Sequence, residues 1–149
     1  MKSKYLLLSF LLMLFWNSFS SEYNEVLLKA NRLKSGAQYT RAIRYYNKAI
    51  KFEKNNDEAI KEIYFHIADC YFKLGREVMA YKVLTATVYK LGATKVDFEN
   101  NSIVDKEFLK ASWIKMEPKY NRFRQRYIAS LDGIDDYLAD GNYVLNPKQ

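Results

Sequence analysis

Apolar residues return at steps of three and four along most of the chain after residue 21, and hardly any stretch alternates between apolar and polar side chains. The segment GAQYTRAIRYYNKAI shows this spacing at Tyr39, Ala42, Ile43, Tyr46 and Ala49. Residues spaced in this way share one side of an α-helix, whereas a half-buried strand needs a repeat of two. The periodicity therefore predicts an all-α fold for the 149-residue chain, a length typical of one domain.

Residues that end or start helices divide residues 21–92 into four predicted helices. Gly36 and Gly75 supply turns, and the segment 55–57 (Asn-Asn-Asp) offers an N-cap to the third helix. Gly92 suits the left-handed position that often follows a helix. The predicted helices cover about residues 22–34, 38–52, 58–74 and the stretch after Gly75 as far as Leu91.

The two resulting helical pairs repeat one arrangement of small, aromatic and glycine residues. In the first pair it consists of Ala30, Leu33, Gly36, Tyr39, Ala42-Ile43, Tyr45-Tyr46 and Ala49-Ile50. In the second pair it consists of Tyr64, Ile67-Ala68, Tyr71-Phe72, Leu74-Gly75, Ala80 and Leu84. This arrangement resembles the tetratricopeptide repeat (TPR) family, whose units span about 34 residues. Gly36 lies one place early for the family, and the two units are about four residues further apart than usual.

The resemblance covers about residues 23–92 and implies a short solenoid of stacked antiparallel helical hairpins. A stack of this kind usually needs about three units and an atypical terminal unit. We therefore expect the repeats in residues 21–92 to be covered by a C-terminal helical cap in residues 93–141, followed by a loose tail at 142–149.

The predicted cap begins with a loop over residues 93–102, and helical periodicity then returns over residues 105–117 and 119–139. Pro118 favours a break between these two segments, because proline suits the first turn of a helix and disrupts its interior. Two separate helices and one kinked helix both fit this pattern.

Residues 1–20 have the layout of a secretory signal peptide. Lys2 and Lys4 give a positive start, an apolar run covers residues 5–16, and Ser18 and Ser20 are small residues suited to a cleavage site. The apolar run is shorter than a helix that spans a bilayer. We expect cleavage near Ser20 and an exported protein, periplasmic or extracellular, without a lipid anchor because no cysteine lies at this junction.

The composition excludes several kinds of chemistry. The only histidine and cysteine, His66 and Cys70, cannot build a disulfide framework, a Cys-rich zinc site or an iron–sulfur site. The Asp-rich segment 132–142 fails the twelve-residue pattern of a calcium loop. The sequence also carries no phosphate-binding loop and no serine-nucleophile motif. We therefore expect no enzyme activity, no metal and no cofactor.

In TPR proteins the first helix of each unit lines a concave face, which binds an extended peptide or a partner helix. Position by position, the resemblance assigns to this face Asn24, Leu27, Asn31, Lys34, Glu62, Phe65, Asp69, Phe72 and Lys73. We expect Phe65 and Phe72 to be exposed aromatic contacts for a partner. Only Asn31 fits the variant of the family that clamps a C-terminal carboxylate, which disfavours that role. The resemblance thus implies a protein–protein interaction module, a scaffold or adaptor in the cell envelope.

A second hypothesis rests on charge. The net charge is +7, and it falls to +5 when residues 1–20 are removed. Lys119, Arg122, Arg124 and Arg126 interleave with aromatic residues, a mixture that can bind anionic lipid headgroups or wall polymers. The same pattern is explained by a helix whose aromatic side packs against the core and whose basic side faces solvent, and this interpretation is favoured. We do not expect nucleic acid as a partner of an exported chain.

Overall fold

The computed structural model describes residues 22–53 and 56–132, and regular structure within them is entirely helical. The helices pack in pairs, so the predicted all-α class is confirmed. Within the same residues, no helix is both long and apolar enough to cross a membrane. The predicted signal peptide, the calcium-like segment after Asp132 and the loose tail lie outside this range. The helices are α1 (residues 22–35), α2 (Tyr39–Phe52), α3 (Asp57–Lys73), α4 (Glu77–Leu91), α5 (Lys95–Glu99), α6 (Lys106–Met116) and α7 (Tyr120–Asp132).

The turns of the α1–α2 and α3–α4 hairpins are closed by the same hydrogen bonds. In the first turn the Gln38 N–H donates to the Leu33 carbonyl at 2.8 Å, and the Ala37 N–H donates to the Lys34 carbonyl at 3.0 Å. The equivalent bonds recur in the second turn, both at 2.9 Å. The left-handed residue is Ala37 in the first turn (φ 56°) and Gly75 in the second (φ 69°), 38 residues later. Ala37 thus occupies the position that glycine normally fills, which explains why Gly36 lies one place early.

The hairpins enclose two apolar clusters, and α3 contributes to both. The first cluster joins α1, α2 and α3 through Val26, Ala30, Leu33, Ala42, Ile43, Tyr46, Ala49, Ile63, Ile67 and Cys70. The second joins α3 to the helices that follow through Phe65, Ala68, Leu84, Val88, Ala93, Phe98, Val104, Leu109, Trp113, Met116 and Phe123. The third helix is therefore the centre of the described fold.

Burial on α3 extends beyond the single stripe that an amphipathic helix presents. Ile67, Ala68, Asp69 and Cys70 are consecutive and all buried. Four consecutive residues cover more than a full turn, so neighbours must surround the helix on every side at this level. Lys61, nearer the start of the same helix, is also buried.

The prediction of a loop over residues 93–102 is wrong, because the short helix α5 lies within it. The backbone N–H of Thr94 (2.6 Å) and its hydroxyl (2.9 Å) both donate to Asp97 Oδ2. This Thr-x-x-Asp arrangement is a relative of the capping box, a helix-start signal that was present in the sequence. The helix brings Phe98, 3% exposed, against Phe65 with ring centroids 5.4 Å apart.

Helices α6 and α7 are joined through Pro118 by a single 3-10 turn, Glu117–Lys119. The backbone is right-handed helical at Met116, Glu117 and Tyr120, so the chain continues across the proline instead of reversing. Both helices pack on α4. The sequence left open two separate helices or one kinked helix. The structure has two α-helices, α6 and α7, which follow each other directly through the 3-10 turn at the proline.

Gly92 ends α4 in the left-handed conformation that its sequence position predicts (φ 66°). A Cβ at this position would overlap the ring of Tyr127 on α7. The Gly92 carbonyl also accepts a hydrogen bond from Arg124 Nη1 at 3.2 Å. Glycine at position 92 therefore allows both the left-handed end of α4 and the close approach of Tyr127 on α7.

Candidate functional site

A groove of about 350 Å³ lies between α1 and α3 and reaches the start of α2. We call it the α1–α3 groove. It is lined by Asn31, Lys34, Ser35, Tyr39, His66, Asp69 and Lys73. The groove exists because the helix-end residues of α1 and the middle turns of α3 face each other when the two hairpins stack.

A buried ion pair forms the base of this groove. Lys34 Nζ lies 2.7 Å from Asp69 Oδ2, and the Asp69 side chain is 5% exposed. Lys34 Nζ also lies 3.1 Å from Nδ1 of His66. Because an ammonium group can only donate, Nδ1 is the acceptor and the ring proton of a neutral His66 resides on Nε2. Lys34 is thereby held to two residues of α3 at once.

Aromatic stacking and a further hydrogen bond connect this base to the first hairpin. The rings of His66 and Tyr46 are parallel within 3°, with centroids 5.2 Å apart. The Tyr46 hydroxyl donates to Asn31 Oδ1 at 2.7 Å, and Tyr46 itself is completely buried. Since the oxygen of the Asn31 amide is used, its Nδ2 remains as the donor end. Residues from three helices thus fix the groove's polar side chains in place.

Burial keeps His66 in the groove, and Tyr46 and Cys70 next to it, uncharged at neutral pH. Burial, assisted by the charge of Lys34, lowers the pKa of His66 to about 4. Burial raises the pKa of the Cys70 thiol to about 11, and it also raises the pKa of Tyr46. At neutral pH the imidazole is uncharged and accepts a hydrogen bond, and Cys70 is a protonated, buried thiol. A neutral imidazole of this kind is suited to hydrogen bonds with polar groups of a partner.

The structure brings together Asn31, Lys34, Asp69 and Lys73 of the predicted concave face. The prediction that Phe65 is exposed is wrong, because its side chain is 3% exposed and is covered by Phe98 of α5. Sequence periodicity had no means of showing this contact, since α5 was expected to be a loop.

Phe72 is also less available than expected. It is half-buried and stacks on Phe108 of α6, with ring centroids 4.5 Å apart. Of the remaining predicted residues, Asn24 is exposed on α1, and Leu27 packs against the first apolar cluster. Glu62 is exposed beside the groove, with its Oε1 3.9 Å from His66 Nε2.

Helix α5 is held over Phe65 by charged groups as well as by Phe98. Lys61 Nζ contacts Asp97 Oδ1 at 3.0 Å and Glu58 Oε2 at 2.7 Å. Burial opposes the charge on Lys61, but its hydrogen bonds to Glu58 and Asp97 outweigh burial and raise the pKa of Lys61. The lysine therefore remains charged, and it links the first turns of α3 to α5.

Sequence reasoning missed Ser35 and Tyr39 as groove residues. Both flank the Gly36 turn and so lie beside Lys34, a signal that was readable once the turn was placed. His66, which was not among the predicted concave-face residues, also lines the groove. Within the described residues, no group of three His, Cys, Asp or Glu side chains is placed to hold a metal ion.

The basic residues of the C-terminal helical segment divide into two groups. Lys119, Arg122 and Arg126 are exposed. Arg124 is half-buried, since it donates to the Gly92 carbonyl and its guanidinium lies 5.3 Å from the centre of the Tyr127 ring. Three of the four predicted anion-binding residues therefore face solvent, and Arg124 contributes to packing between α7 and α4.

Comparison of the chain with protein-family models, with curated proteins and with solved structures finds no match.

Proposed function

We propose that this chain is an exported, TPR-like interaction module that binds an extended segment of a partner protein in the α1–α3 groove, as a scaffold or adaptor in the cell envelope. The observation that carries the proposal is the convergence of Asn31, Lys34, Asp69 and Lys73 on one groove. The TPR resemblance assigns the same four positions to the concave face. The same pair of backbone hydrogen bonds closes the turns of both hairpins, as expected if the two are repeated units.

The groove offers a partner fixed polar groups together with one free charge. The charges of Lys34 and Asp69 compensate each other, and Tyr46 and His66 brace them from the protein side. Lys73 is exposed at the edge of the groove, and the described residues provide it with no ion pair. An extended segment with an acidic residue near Lys73 and main-chain groups near Asn31 satisfies these features.

Site-specific crosslinking tests this proposal. A photoreactive residue at position 73 should capture a partner in the cell, whereas one at position 82, exposed on α4 outside the groove, should not capture the same protein. Lys73→Glu should then weaken binding of the purified partner about tenfold, because a favourable charge contact becomes repulsive. Lys82→Glu is the matched control. Equal capture from both positions, or equal affinity of both variants, would show that the groove is not the binding surface.

A second candidate function is supported by the exposure of Lys119, Arg122 and Arg126. They are spaced by three and four residues, which places them on one side of the helical path, and Asp132 is the only acidic residue of α7. We propose that this face binds an anionic surface such as lipid headgroups or wall polymers.

Co-sedimentation with vesicles tests the second candidate. Vesicles rich in phosphatidylglycerol should bind the chain at low salt and release it near physiological salt, whereas phosphatidylcholine vesicles should not bind it. The double variant Arg122→Glu/Arg126→Glu should lose binding, and Lys51→Glu, on α2, should keep it. Binding that is independent of salt and of these arginines would contradict this role.

A further inference from the structure

A second pocket, of about 390 Å³, lies between α5 and α6 and is separate from the α1–α3 groove. We call it the α5–α6 pocket. Its walls include the apolar side chains of Phe98, Leu109, Trp113 and Ile114. Sites for small molecules are commonly apolar cavities of about 300–1,000 Å³ with a few polar groups, and this pocket has that size and character.

The apolar floor of the pocket is held in place without a ligand. Phe98 is 3% exposed and Trp113 is 7% exposed, and their ring centroids lie 5.2 Å apart. Trp113 also packs against Tyr120 at the same centroid distance. Lys61 of α3 contacts Asp97 and so fixes α5, which carries one wall. A ligand that enters pays little to order the pocket, because these walls are already packed.

The edge of the pocket carries an excess of positive charge. Lys95, Lys106 and Lys110 line it together with Glu99 and Glu117, and the contact of Lys95 with Glu99 is an exposed one of 3.8 Å. Among the described residues, neither Lys106 nor Lys110 has an ion-pair partner. Like charges at positions i and i+4 of a helix repel each other. An anion between Lys106 and Lys110 relieves that repulsion.

Ile114, an apolar side chain at the mouth of the pocket, indicates where the apolar part of a ligand would lie. Ile114 is 60% exposed although it lines the pocket, so it is available for contact with a bound chain. Contact with an apolar group there and with the buried rings below removes apolar surface from water. The lysines remain at the solvent edge, where a charged group keeps part of its hydration.

We propose that the α5–α6 pocket binds a small amphipathic anion, a carboxylate with an unbranched apolar chain, with the chain against Phe98, Trp113 and Ile114 and the carboxylate beside Lys106 and Lys110. This role is independent of the partner segment proposed for the α1–α3 groove. The proposed source of the carboxylate is a free fatty acid, and a larger anionic lipid is the alternative that the experiment separates from it.

Octanoate is the probe, used below its micelle concentration with the full chain carrying Trp16→Phe, so that Trp113 alone supplies tryptophan fluorescence. Octanoate should change that fluorescence in a saturable way, and octylammonium should bind at least tenfold more weakly because its charge is repelled by the lysines. From hexanoate to decanoate, each added methylene should strengthen binding about fourfold, as expected for transfer of apolar groups from water.

Variants at exposed positions locate the binding site. Ile114→Asp should weaken octanoate binding about tenfold, because an apolar contact is lost and a negative charge is added. Lys110→Glu should weaken it about threefold, as expected for an exposed charge contact. Lys82→Glu is the control and should leave the affinity unchanged. Far-ultraviolet circular dichroism checks that each variant is folded.

Several outcomes would overturn the proposal. These are equal binding of octanoate and octylammonium, unchanged affinity of Ile114→Asp, no saturable response to octanoate at all, and a response to anionic vesicles but not to octanoate. A change of oligomeric state in Ile114→Asp without any octanoate response would assign the pocket to a second copy of the chain, and the proposal would again be wrong.

Discussion

Lys34 on α1 and Asp69 on α3 form an ion pair, with Nζ 2.7 Å from Oδ2. The Lys34 side chain is 19% exposed and the Asp69 side chain is 5% exposed, so the carboxylate has little access to water. A buried charge of this kind is tolerated only when a partner of opposite charge compensates it. The pair therefore links the first hairpin to the second and determines the shape of the groove between them.

Removing one member of this pair should destabilise the fold strongly. We expect Lys34→Met to lower the free energy of unfolding by about 3 kcal/mol, because Asp69 stays buried without its counter-charge. The double variant Lys34→Met/Asp69→Leu should recover most of the loss, since no buried charge remains. Urea denaturation followed by circular dichroism measures these changes.

An exposed ion pair supplies the control for that experiment. Lys95→Met removes the contact with Glu99 at 3.8 Å, and we expect a change of about 0.5 kcal/mol or less. If Lys34→Met costs no more than Lys95→Met, the pair with Asp69 does not contribute to the stability of the fold.

The first hairpin turn should be improved by glycine. Ala37 has a φ of 56°, and left-handed backbone costs a residue with a Cβ about 1 kcal/mol relative to glycine. We therefore expect Ala37→Gly to raise the free energy of unfolding by about 0.5–1 kcal/mol, even though glycine increases the freedom of the unfolded chain. Thermal and urea denaturation measure the gain.

Its neighbour Gly36 has no left-handed backbone and is the matched control. A Cβ there makes an ordinary contact of 3.4 Å with the Arg32 carbonyl oxygen, so Gly36→Ala should not destabilise the turn, whereas the Cβ at position 37 does. A loss of stability in Ala37→Gly would mean that the turn adopts a different conformation in solution.

Two glycines with nearly equal φ values should respond differently to alanine. Gly75→Ala meets no neighbouring atom within 4 Å, so we expect only the cost of the left-handed backbone, about 1 kcal/mol. Gly92→Ala adds an overlap with the ring of Tyr127, and we expect about 2–3 kcal/mol in total. Urea denaturation of the two single variants gives the comparison.

The double variant Gly92→Ala/Tyr127→Ala separates backbone strain from the overlap. It should cost less than the sum of its two single changes, because the overlap disappears together with the ring. Strict additivity would contradict the close approach of α7 to Gly92.

The fold should lose stability in mild acid because of His66. The pKa of His66 is lowered from 6.5 to about 4 in the folded chain, chiefly by burial, so below pH 6.5 the unfolded chain binds the proton more readily. The contribution is complete above pH 6.5, is lost as the pH falls, and levels off near pH 4. We expect a loss on the order of 2 kcal/mol, allowing for the partial exposure of the ring.

The variant His66→Gln isolates this effect from the titration of carboxylates. The difference in unfolding free energy between the wild type and this variant, measured by urea denaturation from pH 7.5 to pH 4, should shrink as the pH falls. A difference that stays constant over this range would show that His66 titrates normally in the folded chain.

Apolar spacing, capping residues and glycine positions in the sequence were sufficient to predict most of the local structure of the two hairpins. The spacing of apolar residues gave the four helices of the two hairpins within one or two residues, and Asn56 caps α3 through its Oδ1 as its position suggested. Gly92 takes left-handed backbone as predicted, and Gly75 lies in the predicted turn, where its backbone is also left-handed. These features depend on interactions between residues that are close in sequence, and such interactions can be evaluated without a tertiary structure.

The environment of each side chain of α3 could not be predicted in the same way. Phe65 and Asp69 are one helical turn apart and were both assigned to an open face, yet Phe65 is covered by Phe98 and Asp69 is compensated by Lys34. Each of these partners lies more than 30 residues away in the sequence.

The amino-acid sequence by itself thus determined where the four helices of the two hairpins begin and end, since capping, turn chemistry and apolar spacing are local properties. The tertiary structure determined which faces of those helices remain open to a ligand. Burial of a charge or an aromatic ring depends on the group that approaches it from a distant segment, and α3 is approached by α1, α2, α4 and α5. The α1–α3 groove and the α5–α6 pocket are two of the openings that this packing leaves among the described residues.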